Sequence, residues 1–259
     1  MTKEKNNGIL NIVQTKENRN DFKNEMKGEI EMTLLLNEKL SGNSIETIGS
    51  GEYKILGTTV EIVNPIGKDF LKEVVNAYLM NDFQNRFDIL GSGSYGYVYG
   101  FDEYAIKFIY DLSEMELACN DVEVLKSLSH LNFIPKLYAV IDDVVLIVER
   151  IFGKTVMDYV AMPNNPYNIN ESILDEFENA LFEIIKCGYT PYDLHKNNVM
   201  IDKNGKIKIV DVGFFKLHEY DGDIHGYYKH NDGYKEASFT LNSLRNYVYN
   251  IANSDTVAI

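Results

Sequence analysis

Between Gly91 and Val98 the chain reads Gly-Ser-Gly-Ser-Tyr-Gly-Tyr-Val, set between two strand-like stretches, Phe87 to Leu90 and Tyr97 to Gly100. Glycines at positions 91, 93 and 96 let a hairpin turn tightly and bring backbone N–H groups close to phosphate oxygens. The surroundings of the run narrow the fold. A dinucleotide-binding unit needs a helix to open at the third glycine and an acidic residue about 20 positions on. Here Tyr97-Val98-Tyr99 continues as strand instead. A P-loop needs Gly-Lys-Ser/Thr after its glycines, and none follows. The run therefore predicts a β-hairpin lid over ATP, made of Gly91, Ser92, Gly93, Ser94, Tyr95, Gly96 and Val98.

Downstream lies Ala105-Ile106-Lys107, inside an apolar strand that runs to Tyr110. An ammonium on a buried strand needs an anion. Following the Gly-rich hairpin, Lys107 reads as a clamp on the α- and β-phosphates, against the alternative of a strand-edge lysine in water. A second constellation is Tyr192-Asp193-Leu194-His195-Lys196-Asn197-Asn198, followed by the strand Val199 to Asp202, a turn at Lys203-Asn204-Gly205 and Ile207-Lys208-Ile209-Val210-Asp211-Val212-Gly213. Asp193 and Asn198 share a loop, and Asp211 ends a buried strand before a glycine. Three oxygen-bearing side chains can converge there, as hard Mg²⁺ chemistry with phosphate requires. The plainer reading is an Asx-rich turn between helix and hairpin.

Composition excludes several classes. Lys and Arg total 25 against 39 Asp and Glu, a formal net charge of −14. That balance argues against neutralising nucleic-acid phosphates or an anionic membrane surface. With 45% apolar residues over 259 positions the chain can bury a real core. Cys119 and Cys187 are too few and too isolated for a disulfide framework, which fits a reducing cytosol. No run of 18 apolar residues and no export-type leader is visible, so a cytoplasmic protein without a membrane span is expected.

Residues 1 to about 20 are polar and read as frayed, and apolar positions from Asp21 to Leu40 predict an amphipathic helix. Short strands are expected between Ile45 and Val63, and a second helical stripe runs from Phe70 to Leu79. Gly49-Ser50-Gly51 echoes the start of the later Gly-rich run but has no Ala-x-Lys strand after it, and reads as an ordinary turn. Beyond residue 84 strands come first and helices dominate later. That order predicts a small twisted antiparallel sheet with one helix, then a mainly helical lobe, with a cleft between them.

With these motifs in the order GSGSYGYV, AIK, DLHKNN and DVG, residues about 84 to 220 resemble the protein-kinase superfamily. The resemblance implies an α+β, bilobal kinase-like fold over 84–259, with an N-lobe over about 84–150, a shortened C-lobe over about 151–259, and residues 1–83 as an α/β extension. By position it makes Lys107 the phosphate clamp, Asp193 the catalytic base, and Asn198 and Asp211 the Mg²⁺ ligands. Leu146 to Gly153 resembles the interlobe hinge, with Val148 at the back of the adenine pocket beside Ala105, and backbone at Glu149 and Ile151 facing the base. Asp121 falls where the family has a helix Glu paired with the strand lysine, with Glu123 as the fallback.

The departures also carry meaning. Pro191-Tyr192 stands where the family has His-Arg, which leaves no arginine to pair with a phosphorylated activation loop. His195 stands two residues after Asp193, as in aminoglycoside and choline phosphotransferases, and Lys196 is an alternative source of charge. Val212 replaces the Phe of the metal motif. Only 46 residues follow Gly213, with no Ala-Pro-Glu motif, so the later helices of a full lobe are expected to be missing, as in minimal kinases among bacterial effectors. His130, His218, His225 and His230 show no metal-ligand spacing, and the last three are expected in a solvated loop. The expected activity is ATP- and Mg²⁺-dependent transfer to a hydroxyl, most simply Ser or Thr of a protein substrate. A small-molecule phosphotransferase and a nucleotide-binding pseudokinase acting as a partner-binding module remain as alternatives.

Overall fold

The computed structural model describes residues 47–93, 96–109, 115–162, 164–218 and 233–255. The helix expected over Asp21 to Leu40, the stretch before it, and Ser94, Tyr95, His225 and His230 lie outside the described residues. The chain divides into two compact units. The first takes the described residues up to Tyr99 with Lys107–Leu112 and Tyr138–Leu146, and the second takes Gly100–Ile106, Ser113–Leu137 and the chain from Ile147.

Elements of the first unit are β1 (Thr47–Ile48), β2 (Gly51–Ile55), β3 (Thr58–Ile62), β4 (Ile66–Gly67), α1 (Lys68–Met80), α2 (Phe83–Arg86), β5 (Asp88–Ser92), β6 (Gly96–Phe101), β7 (Tyr104–Ile109), β8 (Leu137–Ile141) and β9 (Val145–Glu149). Seven strands form one sheet in the order β2-β3-β8-β9-β7-β6-β5. Strands β2 and β3, read from sequence as part of an appended segment, therefore lengthen the sheet that carries the Gly-rich hairpin. Strand β3 explains why. Its alternation buries Val60 and Ile62, and it pairs antiparallel with β8 through Val60↔Ile141 and Ile62↔Ala139.

The turn from β8 to β9 has positive φ at both Asp142 (45°) and Asp143 (59°), as a two-residue primed hairpin requires. Asp142 also locks β3 in place, since its Oδ1 accepts the Thr59 N–H at 2.8 Å. Helix α1 follows the predicted stripe, burying Phe70, Leu71, Val74 and Val75, and ends at Asn81 in the left-handed region. Tyr78 on this helix is pushed up to about 12 by burial first and then by the Asp142 carboxylate. Phe83 stacks on Tyr99 at 5.3 Å and on Phe108 at 5.1 Å between ring centroids, so residues before 84 supply aromatic core to β6 and β7.

The second unit contains α3 (Met115–Ser127), β10 (Gly153–Thr155), α4 (Val156–Val160), α5 (Ser172–Lys186), β11 (Tyr189–Thr190), β12 (Val199–Asp202), β13 (Ile207–Ile209), β14 (Lys216–Leu217) and α6 (Gly233–Asp255). Strands β10-β12-β13 form one small sheet and β11-β14 another. Helix α5 buries Ile173, Phe177, Ala180, Leu181, Ile184 and Ile185 at helical spacing. Thr155 caps α4, accepting the Asp158 N–H at 3.1 Å while donating to Asp158 Oδ2 at 2.8 Å.

Two expectations for the C-terminal part are corrected. The chain after residue 232 forms α6, a 23-residue helix that packs against α4 and α5. Its buried Tyr234, Ala237, Leu241, Leu244, Tyr247 and Val248 follow the helical period, interrupted by polar residues that hide the stripe in an average of hydropathy. His218 is half-buried, not in a solvated loop. Its N–H donates to Gly188 O at 2.8 Å and its Nδ1 lies 3.2 Å from Thr190 Oγ1. Cys187 is a free thiol 3.6 Å from His130 Nε2, and burial pushes its pKa up.

Candidate active site

In the second unit the hairpin β12/β13 positions two of the expected site residues. Its register pairs Val199 with Ile209, and beyond the last pair Val210 N–H donates to Asn198 O at 3.0 Å. Asn198 and Asp211 thus flank the open end of one hairpin. The turn at the other end uses Gly205 at φ 73°.

The loop Asp193 to Asn198 is closed by its own bonds. Asn198 N–H donates to His195 O at 2.9 Å, and Asn198 Nδ2 donates to Asp193 O at 2.9 Å and to Asp193 Oδ2 at 3.2 Å. Asp193 sits at φ 60°, a left-handed conformation that Asp tolerates better than most residues and that aims its carboxylate out of the chain path. Its carboxyl is pushed above the usual carboxylate range. Burial is the largest cause; Glu236 and Asp211 add to it, while His195 and the Asn198 hydrogen bond oppose it. His195 Nδ1 accepts the Asn197 N–H at 3.2 Å, which leaves the ring proton on Nε2, 3.7 Å from Asp193 Oδ1.

The loop is held from outside as well. Leu194 is fully buried, and its carbonyl accepts a hydrogen bond from the Thr240 hydroxyl of α6 at 3.1 Å. Met157 N–H of α4 donates to Lys196 O at 3.1 Å. Glu236, in the first turn of α6, is close enough to act on Asp193. Sequence reasoning missed Thr240 and Glu236, and the buried helical stripe of α6 was the signal that could have found them.

Asp211 accepts the Gly213 N–H at 3.4 Å. Asp121 is 3% exposed, lies on the buried stripe of α3 with Val124, Leu125 and Leu128, and accepts the Val212 N–H at 3.3 Å. Glu123, the fallback, is exposed. Asn120, which sequence reasoning also missed, donates from Nδ2 to Gly213 O at 2.6 Å and Phe215 O at 2.8 Å.

The remaining hinge positions are in place along the chain. Val148 and Glu149 end β9 and are half-buried, as is Ile151. Arg150 N–H donates to Glu103 O at 2.8 Å, whereas the Ile151 N–H takes no partner among the described residues. That N–H is available to an external acceptor.

In the first unit the hairpin β5/β6 is closed by Gly93 N–H to Gly96 O at 2.9 Å. A Cβ on Gly96 would meet Phe108 O at 2.2 Å, so close strand packing demands this glycine. At Gly91 and Gly93 a Cβ would meet nothing within 4 Å, so those positions border open space. Ala105 is buried and Lys107 half-buried on β7, two residues apart on one face of the strand.

The oxygen donors fit a hard divalent cation. With Nδ2 of Asn198 committed to Asp193, its Oδ1 is left without a partner among the described residues, beside the Asp211 carboxylate that caps the hairpin end. Among the described residues no group of three or more His, Cys, Asp and Glu could hold a metal. Two protein oxygens, completed by phosphate and water, is the pattern Mg²⁺ favours.

Comparison with known proteins agrees with this geometry. The family model of the protein kinase domain matches residues 84–236, more than half of the chain. LEAF RUST 10 disease-resistance locus receptor-like protein kinase-like 1.2 of Arabidopsis thaliana is 28% identical over 161 residues, 55% of this chain and 25% of its own length. Its 1.1 counterpart is 27% identical over 146 residues, 50% of this chain and 23% of its own length. YrzF of Bacillus subtilis (strain 168), which carries the name of a serine/threonine-protein kinase, is 23% identical over 131 residues, 49% of this chain and 59% of its own length. The chain thus spans about a quarter of the plant relatives and somewhat over half of the bacterial one. No helix among the described residues is long and apolar enough to cross a membrane.

Proposed function

The chain belongs to the protein kinase family, and from that premise we propose that it transfers the γ-phosphoryl group of ATP, with Mg²⁺, to a Ser or Thr hydroxyl of a protein. The observation that carries this reading is the Asp193–Asn198 pair: one amide nitrogen holds the carboxylate while the amide oxygen stays available beside Asp211.

Phosphoryl transfer asks little covalent chemistry of a protein and much positioning and charge neutralisation. With one carboxylate oxygen of Asp193 bonded to Asn198, the other is left to accept the hydroxyl proton. A raised pKa makes that carboxylate a better proton acceptor than an ordinary aspartate. Asn198 Oδ1 and Asp211 would hold Mg²⁺, which when bound supplies positive charge to phosphate oxygens. Lys107 and the backbone of the Gly91 to Gly96 hairpin would take the phosphates. The unused Ile151 N–H, with the Glu149 backbone and Val148, would take the adenine. The Asp121 carboxylate is the expected partner of Lys107.

The test is incubation of purified protein with γ-labelled ATP, Mg²⁺ and a cell lysate, beside Lys107→Ala and Asp193→Ala. Label in protein bands, lost in both variants, is the expected result. Label confined to small acid-soluble products replaces the reading by a small-molecule phosphotransferase. ATP binding with no transfer replaces it by a partner-binding pseudokinase.

A further inference from the structure

The turn that follows Asp211 is gripped from α3 by two adjacent side chains with opposite hydrogen-bonding character. Asp121 accepts the Val212 N–H at 3.3 Å, and Asn120 donates to Gly213 O at 2.6 Å and to Phe215 O at 2.8 Å. Inside the turn Gly213 N–H goes to Asp211 Oδ1 at 3.4 Å and Phe215 N–H to Val212 O at 3.0 Å. The N–H groups of 212, 213 and 215 and the carbonyls of 213 and 215 are all engaged.

Both protons of one amide nitrogen are spent on carbonyls two residues apart, a geometry that a rotation of either peptide plane would break. Apolar packing alone defines this turn poorly. Val212 and Phe215 are buried, but Val212 is small and Gly213 has no side chain, so the polar bonds specify its orientation. Asp211 heads the turn, and its carboxylate direction follows from it.

We propose that Asn120 is a positioning residue: it holds the Asp211-Val212-Gly213 turn in the form that presents the Asp211 carboxylate to Mg²⁺. The proposal rests on the kinase reading above and adds to it a residue with no part in the chemical step. Reach and donor count single out asparagine. Aspartate has the same shape and offers only acceptors to two carbonyls. Glutamine keeps the donors on a stem one methylene longer. Alanine removes both bonds and raises helix propensity, so a loss in Asn120→Ala does not come from a weaker α3.

The experiment compares the full chain with Asn120→Ala, Asn120→Asp and Asn120→Gln in two measurements. Hydrogen exchange of the metal-free protein is followed over residues 211–217 and over the β12/β13 hairpin. Binding of a fluorescent ATP analogue is titrated with Mg²⁺. Expected is exchange about tenfold faster over 211–217 in the Ala variant, with the hairpin unchanged, and about a tenfold rise in the Mg²⁺ concentration at half-maximal binding. The Asp variant should be affected at least as strongly, and Gln should recover part of both effects.

Wild-type exchange over 211–217 in both the Ala and Asp variants overturns the proposal. Faster exchange with an unchanged Mg²⁺ requirement overturns it too, since the turn would then be held for another purpose. Failure of the wild type to bind nucleotide with Mg²⁺ removes the kinase reading instead, and the exchange measurement then judges the clamp by itself.

Discussion

Asn198 Nδ2 donates to both the main-chain oxygen and the carboxylate of Asp193, at 2.9 and 3.2 Å. One side chain therefore fixes the backbone and the reactive group of the same residue. Asn198→Asp keeps an oxygen for a metal but replaces the donor by a second carboxylate facing the first. Transfer should fall about a hundredfold, the order expected when a positioned base loses its alignment. The acid limb of kcat/KM should also move to higher pH, because a like charge raises the Asp193 pKa further. An unchanged limb would show that the two groups do not interact.

The pH profile of the unaltered protein carries its own prediction. Asp193 is raised chiefly by burial, with help from Glu236 and Asp211. Since the carboxylate is the active form, transfer should rise with pH through a value above the ordinary range for aspartate. Glu236→Gln should bring that limb down. The check is a kcat/KM profile of both proteins from acid to neutral pH.

The same shift has the opposite sign for stability. A folded-state pKa above the unfolded one favours the protonated form, so its stabilising effect is full below about pH 4 and is lost as pH rises through the folded value. Asp193→Asn should therefore raise Tm at pH 7 and lose that advantage near pH 4, while cutting transfer by about 10²–10⁴-fold. Thermal melts at the two pH values test it.

Thr240 and Leu194 predict a second stability effect, away from the reacting groups. Thr240→Val leaves the buried Leu194 carbonyl without its donor and should cost about 1–3 kcal/mol in chemical denaturation. Thr240→Ser keeps the hydroxyl and should recover most of the loss.

The three glycines of the hairpin should differ. Gly96→Ala drives a Cβ into the Phe108 carbonyl and should cost about 1–3 kcal/mol. Gly91→Ala meets open space and should leave Tm near the wild-type value, with any loss appearing in ATP affinity.

Much of this was legible along the chain. The hairpin at Gly93 and Gly96, the strand with Lys107, the Asp193 to Asn198 loop and the Gly205 turn all appear where spacing put them, because turn chemistry and alternation act over a few residues. Helix α1 matches its apolar stripe for the same reason. Helix α6 was missed because Thr240, Ser243 and the asparagines lower its hydropathy, although its buried positions keep the helical period.

By itself, then, the amino-acid sequence determined which chemical groups are present, their order, and the local turns that expose them. Only the tertiary structure decided that β2 and β3 belong to the hairpin's sheet, that Asp193 is raised above an ordinary aspartate, and that Asn120 and Thr240 hold the site. The physical reason is sequence separation. Asn120 and Gly213 are 93 residues apart and Leu194 and Thr240 are 46 apart, and a hydrogen bond or a burial energy between such residues exists only once packing brings them together.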